Sequence, residues 1–340
     1  METAHVLVLG LGPAGAAAAA EAARRGCKVI ALDRKREPGL PVQCAEFVPA
    51  MVGLDVDDLA GSVRQRIESM STFVEDDAAD LKRNFPGHML DRAAFDAALV
   101  AQAARAGADC RFGSSVAKIG KAGVVELSDG NALRAKVIVG ADGPRSRAGK
   151  AIGSVNTELV ETRQVSVELK KPHAATDIFL SAGIPGGYGW LFPKGDRANL
   201  GAGVSPQYKS RLKSIVDRLH SRLLDRVGAE VLGLTGGAIP VGGMLKPWGE
   251  LGDTLVLLAG DAAGLANPVT GAGIAAAVHS GRLAGEAAAT GTADHYQEEL
   301  EDVFKAALER ALRRRRELLA ASPGKAALRA GWIAYPEYWQ

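Results

Sequence analysis

Three short stretches of this chain are apolar at nearly every position, and each runs into a turn. They are "HVLVLG" ending at Gly10, "KVIALD" ending at Asp33 and "VIVG" ending at Gly140. A fourth, "TLVLLAGD", closes at Asp261. Uninterrupted apolar runs of this length are the mark of strands buried on both faces, as in a parallel sheet. Between the first two the pattern changes to "AAAAAEAARRG", an alanine-rich helix that Gly26 ends. Elsewhere, "TRQVSVELKKP", "ATDIFLSAG", "GWLFPKG" and "RANLGAGVS" have the strand character of a second sheet. In "YGWLF", alternation puts Tyr188, Trp190 and Phe192 on one strand face. Helical periodicity marks "YKSRLKSIVDRLHSRLLDRVG", and again the polar run "DHYQEELEDVFKAALERALRRRRELLAA" from Asp294.

The first turn carries chemistry. "GLGPAG" follows a strand and opens a helix, and a second strand then ends in an acid. Gly10 permits the tight turn, Gly12 clears a path for a diphosphate, and Gly15 lets helix and sheet pack closely. The helix start at Pro13 and Ala14 offers free N–H groups and a positive dipole end. Asp33 is placed to accept ribose hydroxyls, with Arg34 beside it. This is a Rossmann-like dinucleotide site. The motif alone does not separate NAD from FAD.

Two later segments do, by resemblance. "VIVGADGPRSRAGKAIG" and "TLVLLAGDAAGLANPVTGAGIAAAVHSGRLAGEAAA", in this order after the glycine turn, resemble the FAD-dependent group that includes the aromatic hydroxylases and the geranylgeranyl reductases. The resemblance implies that the first turn holds the ADP part of FAD. It places ribityl and pyrophosphate at Asp261, and the isoalloxazine beside Pro268, Gly271, Ala272 and Gly273. "LDRAAFDAAL" resembles the start of the group's cofactor-side helix and makes Arg92 a candidate FAD contact, against an ordinary solvated helix arginine. Asp142 and Arg145 resemble a second nucleotide-side motif, Asp142 being equally readable as a turn residue. A narrower resemblance is to the geranylgeranyl reductase branch. It rests on "PVQCAEF", a cysteine loop in which Ala45 stands where that branch often has glycine, and on "GYGWLFPKGDRANLGAG".

That resemblance implies reduction of C=C bonds in an isoprenoid or similar apolar substrate, with Cys44 as proton donor or pocket-shaper. Glu46 would tune Cys44 or hold its loop. Tyr188, Trp190 and Phe192 read as the substrate wall or as plain core, and Lys194 as a side chain that snorkels or faces solvent, with a contact to cofactor or substrate charge as the lesser reading. The alternatives left open are a monooxygenase acting on an aromatic substrate and a maturation protein acting on a protein side chain. The implied cofactor is FAD. A second complete glycine fingerprint is absent from the sequence, so an external electron donor is expected: NAD(P)H, ferredoxin or reduced flavin.

Composition narrows the class further. The 340 residues are 47% apolar and 24% charged, with a net charge of +2, which favours a soluble globular protein and gives no case for nucleic acid. Cys27, Cys44 and Cys110 are too scattered for a disulfide scaffold or a zinc site, and no metal is expected. The first apolar run lacks a basic leader, so we expect a cytoplasmic protein, with a peripheral membrane contact left open. His279 reads as packed rather than catalytic. Arg313 to Arg316 read as a solvated helix surface, and the aromatic tail "LRAGWIAYPEYWQ" as terminal packing, a cavity cap or an oligomer contact. The expected fold class is α/β: an FAD-binding parallel-sheet domain from residues 1–50, 88–153 and 250–290, an interleaved antiparallel-sheet substrate domain from 51–87 and 154–249, and a C-terminal helical region with its tail, 291–340.

Overall fold

The computed structural model describes residues 1–50, 61–320 and 324–340; residues 51–60 and 321–323, parts of the expected second domain and C-terminal region, lie outside the described residues. The first sheet is built on Glu2–Leu9, whose last four residues are at most 1% exposed. It pairs in parallel with Ala132–Gly140 on one side and Val29–Leu32 on the other. Thr254–Leu258 adds a further parallel strand, and Trp248–Leu251 closes that edge antiparallel. The register aligns Leu9 with Gly140 and Gly140 with Leu258. Three turns that are far apart in sequence therefore begin side by side at the carboxyl ends of these strands, where open α/β sheets bind ligands.

Helix Pro13–Arg24 packs against helix Ile274–Thr290. Glycine makes this contact close: a Cβ at Gly281 would stand 2.2 Å from the Ala14 carbonyl oxygen, and one at Gly285 2.5 Å from that of Ala18. With alanines on the facing helix, the two backbones nearly touch and run in the same direction.

The second sheet runs Val227–Thr235, Leu159–Leu169, Arg197–Val204, Gly189–Lys194, Ala175–Leu180, Ser69–Val74 and Asp80–Lys82. Its pairings are antiparallel except that of Ala175–Leu180 with Ser69–Val74. Helix Leu212–Arg222 covers one face, burying Ile215, Val216 and Leu219 against Leu191 and Leu200. The opposite face carries Trp190, Phe192, Ile178 and Met70. Both faces of strand Gly189–Lys194 are thus covered, but by different neighbours.

The helix expected across residues 208–228 is shorter than its periodicity suggests. It stops at Arg222, and Val227, fully buried, opens a strand paired to Leu169. Sheet burial outweighs local helical preference there. The C-terminal region is helical as Ala293–Leu300 and Ala306–Ala320, joined by a wide turn over Glu301–Lys305. Among the described residues, no helix is long and apolar enough to cross a membrane.

Candidate functional site

The loop before strand Phe47–Pro49 is tied down by polar groups of the second sheet. Thr235 donates its hydroxyl to the Val42 carbonyl (2.6 Å), Gln164 its amide to the Cys44 carbonyl (3.2 Å), and Asn199 to that of Ala45 (3.2 Å). Glu46 adopts a left-handed φ of 69°, unusual for a residue with a side chain. Its carboxylate, 5% exposed, accepts from Lys194 Nζ (2.8 Å), Asn199 Nδ2 (2.9 Å) and the Arg92 backbone N–H (3.0 Å). These contacts tie the Glu46 carboxylate, and with it the loop, to strands Gly189–Lys194 and Arg197–Val204 and to the start of helix Arg92–Arg105. Lys194 does not face solvent as expected: the carboxylate buried 148 positions upstream draws it in. The Cys44 sulfur accepts the Glu46 N–H at 3.2 Å.

Arg92 begins the helix Arg92–Arg105, which Asp91 caps through the Ala94 N–H (3.0 Å). It is no solvated arginine. Its guanidinium forks onto Asp96 (2.9 and 3.1 Å), and its side chain is 14% exposed. It stands beside both the Cys44 sulfur and Asp261. Burial opposes its charge most strongly, yet Asp96 and Cys44 together outweigh burial and raise its pKa.

Cys44, Glu46 and Arg92 line a cavity of about 950 Å³ between the two sheets. Gly12, Pro13 and Ala14 line it from the first turn, Gly143 from the second, and Asp261, Gly271, Ala272 and Gly273 from the third. Gly10 and Gly15 stand behind this surface and serve packing: a Cβ at Gly15 would lie 1.7 Å from the Gly10 carbonyl oxygen. At Gly12 a Cβ meets nothing within 4 Å, so the open space there belongs to the cavity. Asp33 accepts the N–H groups of Leu11 and Lys35 at 2.8 Å each, bracing the turn; Arg34 is exposed, and Lys35 lines the cavity instead. Ser146 caps the short helix Arg147–Ala151 through the Gly149 N–H (2.8 Å), Asp142 accepts the Arg147 N–H (2.6 Å), and Arg145 pairs with Glu161. Pro268 lies behind the third turn, its carbonyl accepting from Arg315 at 3.5 Å.

This arrangement fits FAD. Helices Pro13–Arg24 and Ile274–Thr290 both start at a glycine with no side-chain cap, and both N-termini open onto the cavity. Two unsatisfied sets of N–H groups, with two positive dipole ends, suit a diphosphate. Burial pushes the Asp261 carboxyl up to about 6, with Arg92 opposing.

The far wall is aromatic. Tyr188 meets Trp190 (ring centroids 5.7 Å apart), Trp190 meets Phe192 (6.2 Å), and Phe192 meets Phe47 (5.6 Å). The Tyr188 hydroxyl donates to the Thr270 carbonyl at 2.6 Å, tying this wall to the third turn, and Trp190 donates to Gln164 at 3.1 Å. The tail adds Trp332, 4.8 Å from Tyr188. His279 lines the cavity edge-on to Phe304. The four-arginine run is not uniformly solvated: Arg313 and Arg316 are on the surface, Arg314 holds the Glu337 and Tyr338 carbonyls (2.8 and 3.1 Å), and Arg315 is buried. Sequence reasoning missed Gln164 and Asn199; Asn199, a polar residue amid the apolar run of Arg197–Val204, was the available signal, whereas Gln164 stands among Glu161, Thr162, Arg163 and Ser166.

Comparison with known proteins agrees with this geometry. Residues 3–182 match the family model of an FAD binding domain, and residues 159–239 that of the geranylgeranyl reductase catalytic domain. The digeranylgeranylglycerophospholipid reductase 1 of Methanopyrus kandleri is 34% identical, over 89% of this chain and 88% of its own. That of Methanosarcina acetivorans is 33% identical, over 88% and 79%. Among solved structures, a geranylgeranyl bacteriochlorophyll reductase-like protein from Thermoplasma acidophilum superposes with a TM-score of 0.82 at 26% identity, covering 99% of this chain and 92% of that one. Pseudomonas aeruginosa PqsL, at 0.72 and 17% identity over 96% and 98%, shares the fold. The chain belongs to the geranylgeranyl reductase family and is an FAD-dependent oxidoreductase.

Proposed function

We propose that this protein saturates C=C bonds of an isoprenoid chain, with electrons from an external donor. The observation that carries the reading is the aromatic wall of Tyr188, Trp190 and Phe192 facing the same cavity as Cys44 and the glycine turns. Flat, rigid, apolar side chains suit an alkene chain and exclude water from the reacting carbons. FAD, when bound, supplies the hydride.

The remaining chemistry falls to the chain. Saturation adds a hydride to one alkene carbon and a proton to the other, and Cys44 is the proton donor. Its sulfur accepts the Glu46 N–H, and the Arg92 guanidinium stands beside it. Solvent restores the Cys44 proton between turnovers. Glu46, Lys194 and Asn199 position the loop. Peripheral contact with a lipid surface would deliver such a substrate.

The test is anaerobic incubation of the reduced holoenzyme with a polyprenyl lipid, followed by mass analysis. A gain of two hydrogens per double bond is expected. Cys44→Ala should slow substrate-dependent flavin reoxidation by about 10²-fold while binding FAD normally. Oxygen insertion into aromatic compounds, with no alkene reduction, would overturn the reading in favour of a monooxygenase.

A further inference from the structure

One rim of the cavity lies between the turn Glu301–Lys305 and the tail. Among the described residues, two exposed large apolar side chains line the cavity, Val303 at 50% and Trp339 at 51% exposed, and both stand on this rim. Each has a covered aromatic neighbour in sequence. Phe304, partly buried, meets His279 edge-on, and Tyr338, 3% exposed, meets the Trp339 ring at 5.1 Å between centroids. Phe304 and Tyr338 line the cavity as well. On both lips, apolar side chains thus run from the outer surface inward. The lips are also tied to each other. Arg310 stands over the Trp339 ring, 5.7 Å from its centroid, and Arg314, one turn on, donates to the Glu337 and Tyr338 carbonyls (2.8 and 3.1 Å).

Other exposed apolar side chains do not share this position. Val231, Leu232 and Leu234 stand out on the outer strand Val227–Thr235, but none of them borders the cavity. Whatever covers Val303 and Trp339 lies across a mouth. A second protein seated there would stopper it, whereas a lipid surface covers the same side chains and can pass a chain inward. The chemistry of the rim suits lipid. Tryptophan is at home at a membrane–water boundary, and an arginine beside it can keep its charge in the wet layer while its stem lies on the ring. The Trp339 Nε1–H is already satisfied by the Ile333 carbonyl (3.1 Å), so the ring can enter apolar surroundings without leaving a donor unpaired.

We infer that this rim seats on a lipid surface, and that an isoprenoid chain enters the cavity between Val303 and Trp339. The inference rests on the isoprenoid reading and adds the face of the molecule that meets the lipid. Insertion of a few apolar side chains gives shallow, reversible attachment, in keeping with a chain whose described helices do not cross a membrane.

The experiment uses the holoenzyme with phosphatidylcholine vesicles, some carrying brominated acyl chains, which quench tryptophan on contact. Wild type is expected to sediment with the vesicles and to lose fluorescence to the brominated ones. Trp339→Phe should still sediment but lose that quenching, because Trp190 and Trp332 are buried. Val303→Asp and Trp339→Asp should each weaken partitioning about tenfold, and Leu234→Asp should leave it unchanged. Flavin content and melting temperature establish that the variants are folded; should Trp339→Asp fail there, Val303→Asp and the quenching of Trp339→Phe decide. Absence of vesicle binding, partitioning indifferent to Val303→Asp, or partitioning lost with Leu234→Asp instead overturns the inference. So does a dimer in light scattering that Val303→Asp dissociates, since a second copy would then own this face. In each of these cases, binding of detergent-dispersed geranylgeraniol by wild type leaves the isoprenoid reading standing. Failure to bind geranylgeraniol overturns that reading, and the entry route with it.

Discussion

Lys194 shows how a single side chain can be misread from its neighbours. In sequence it sits in a Pro-Lys-Gly turn and looks solvated; in the fold its ammonium lies 2.8 Å from both oxygens of Glu46. No local pattern can report a partner 148 residues away. The pair is worth testing because Glu46 is buried and Lys194 is only partly exposed. Lys194→Met should leave a carboxylate without its cation and cost about 2–4 kcal/mol in a denaturant melt. Adding Glu46→Gln should recover part of that loss, since the buried charge goes with it; a double variant as unstable as the sum of the singles would contradict the coupling. Asp261 offers a pH test. Burial raises its carboxyl from 3.8 to about 6. Between those values the folded, cofactor-free protein holds a proton that the unfolded chain has lost, so stability falls as pH rises through this window and is flat above it. Asp261→Asn removes the slope. Its cofactor-free form should gain about 1–3 kcal/mol over the parent at pH 7, and little at pH 4. A difference that ignores pH would refute the assignment.

At the scale of elements, the glycines divide into two kinds, those that pack backbones and those that border the cavity. The strand, glycine turn, helix and acid order was legible because each step follows from local chemistry. So were Leu159–Leu169, Ala175–Leu180, Gly189–Lys194 and Arg197–Val204 of the second sheet, and the placing of Tyr188, Trp190 and Phe192 on one face, whereas Ser69–Val74, Asp80–Lys82 and Val227–Thr235 were not. The end of helix Leu212–Arg222 was not, because pairing of Val227 with Leu169 decides it. The fingerprint already assigned Gly15 to packing and Gly12 to open space, but sequence could not say that Gly281 and Gly285 serve backbone packing. These kinds should separate on mutation. Gly12→Val meets no protein atom, so the fold should survive while flavin occupancy falls at least about tenfold. Gly281→Val drives a methyl-bearing carbon into the Ala14 carbonyl and must part the two helices. It should lower stability by about 1–3 kcal/mol or more and lose flavin as well, because the helix that opens at Gly12 is displaced. The ratio of flavin to protein absorbance, read beside a thermal melt, distinguishes the two. Retained flavin in both variants would place the diphosphate elsewhere.

Across the whole molecule, the cavity is assembled from pieces that meet only in the fold: three turns aligned by one sheet register, a cysteine loop anchored to another sheet, and a tail that closes the far side. The tail is held at several points. Lys82 donates to the Ile333 carbonyl (3.1 Å), the Tyr335 hydroxyl donates to Asp80 (2.6 Å), and Lys325 and Arg329 reach Asp77 (2.5 and 3.0 Å). Those last contacts are exposed charge pairs and contribute little each. The apolar closure is the stronger part: Trp332 is buried on Tyr188, and Leu328 lies with it among Met70, Ile178 and Trp190. Removing residues 324–340 would uncover that cluster without touching Gly12, Pro13 or Ala14 at the first turn. The truncated protein should therefore keep most of its FAD yet bind a polarity-sensitive dye such as ANS several-fold more strongly, as newly exposed apolar surface does. Its affinity for a polyprenyl ligand should fall, since one wall of the cavity is gone. Because burial of Trp332 and Leu328 carries the closure, high salt acting on the intact protein should not reproduce these effects, although it weakens the Asp77 pairs. Dye binding and ligand titration on the intact and truncated proteins, each at low and high salt, measure both claims. Unchanged dye binding after truncation would mean that the tail lies on the surface of the cluster and does not close it.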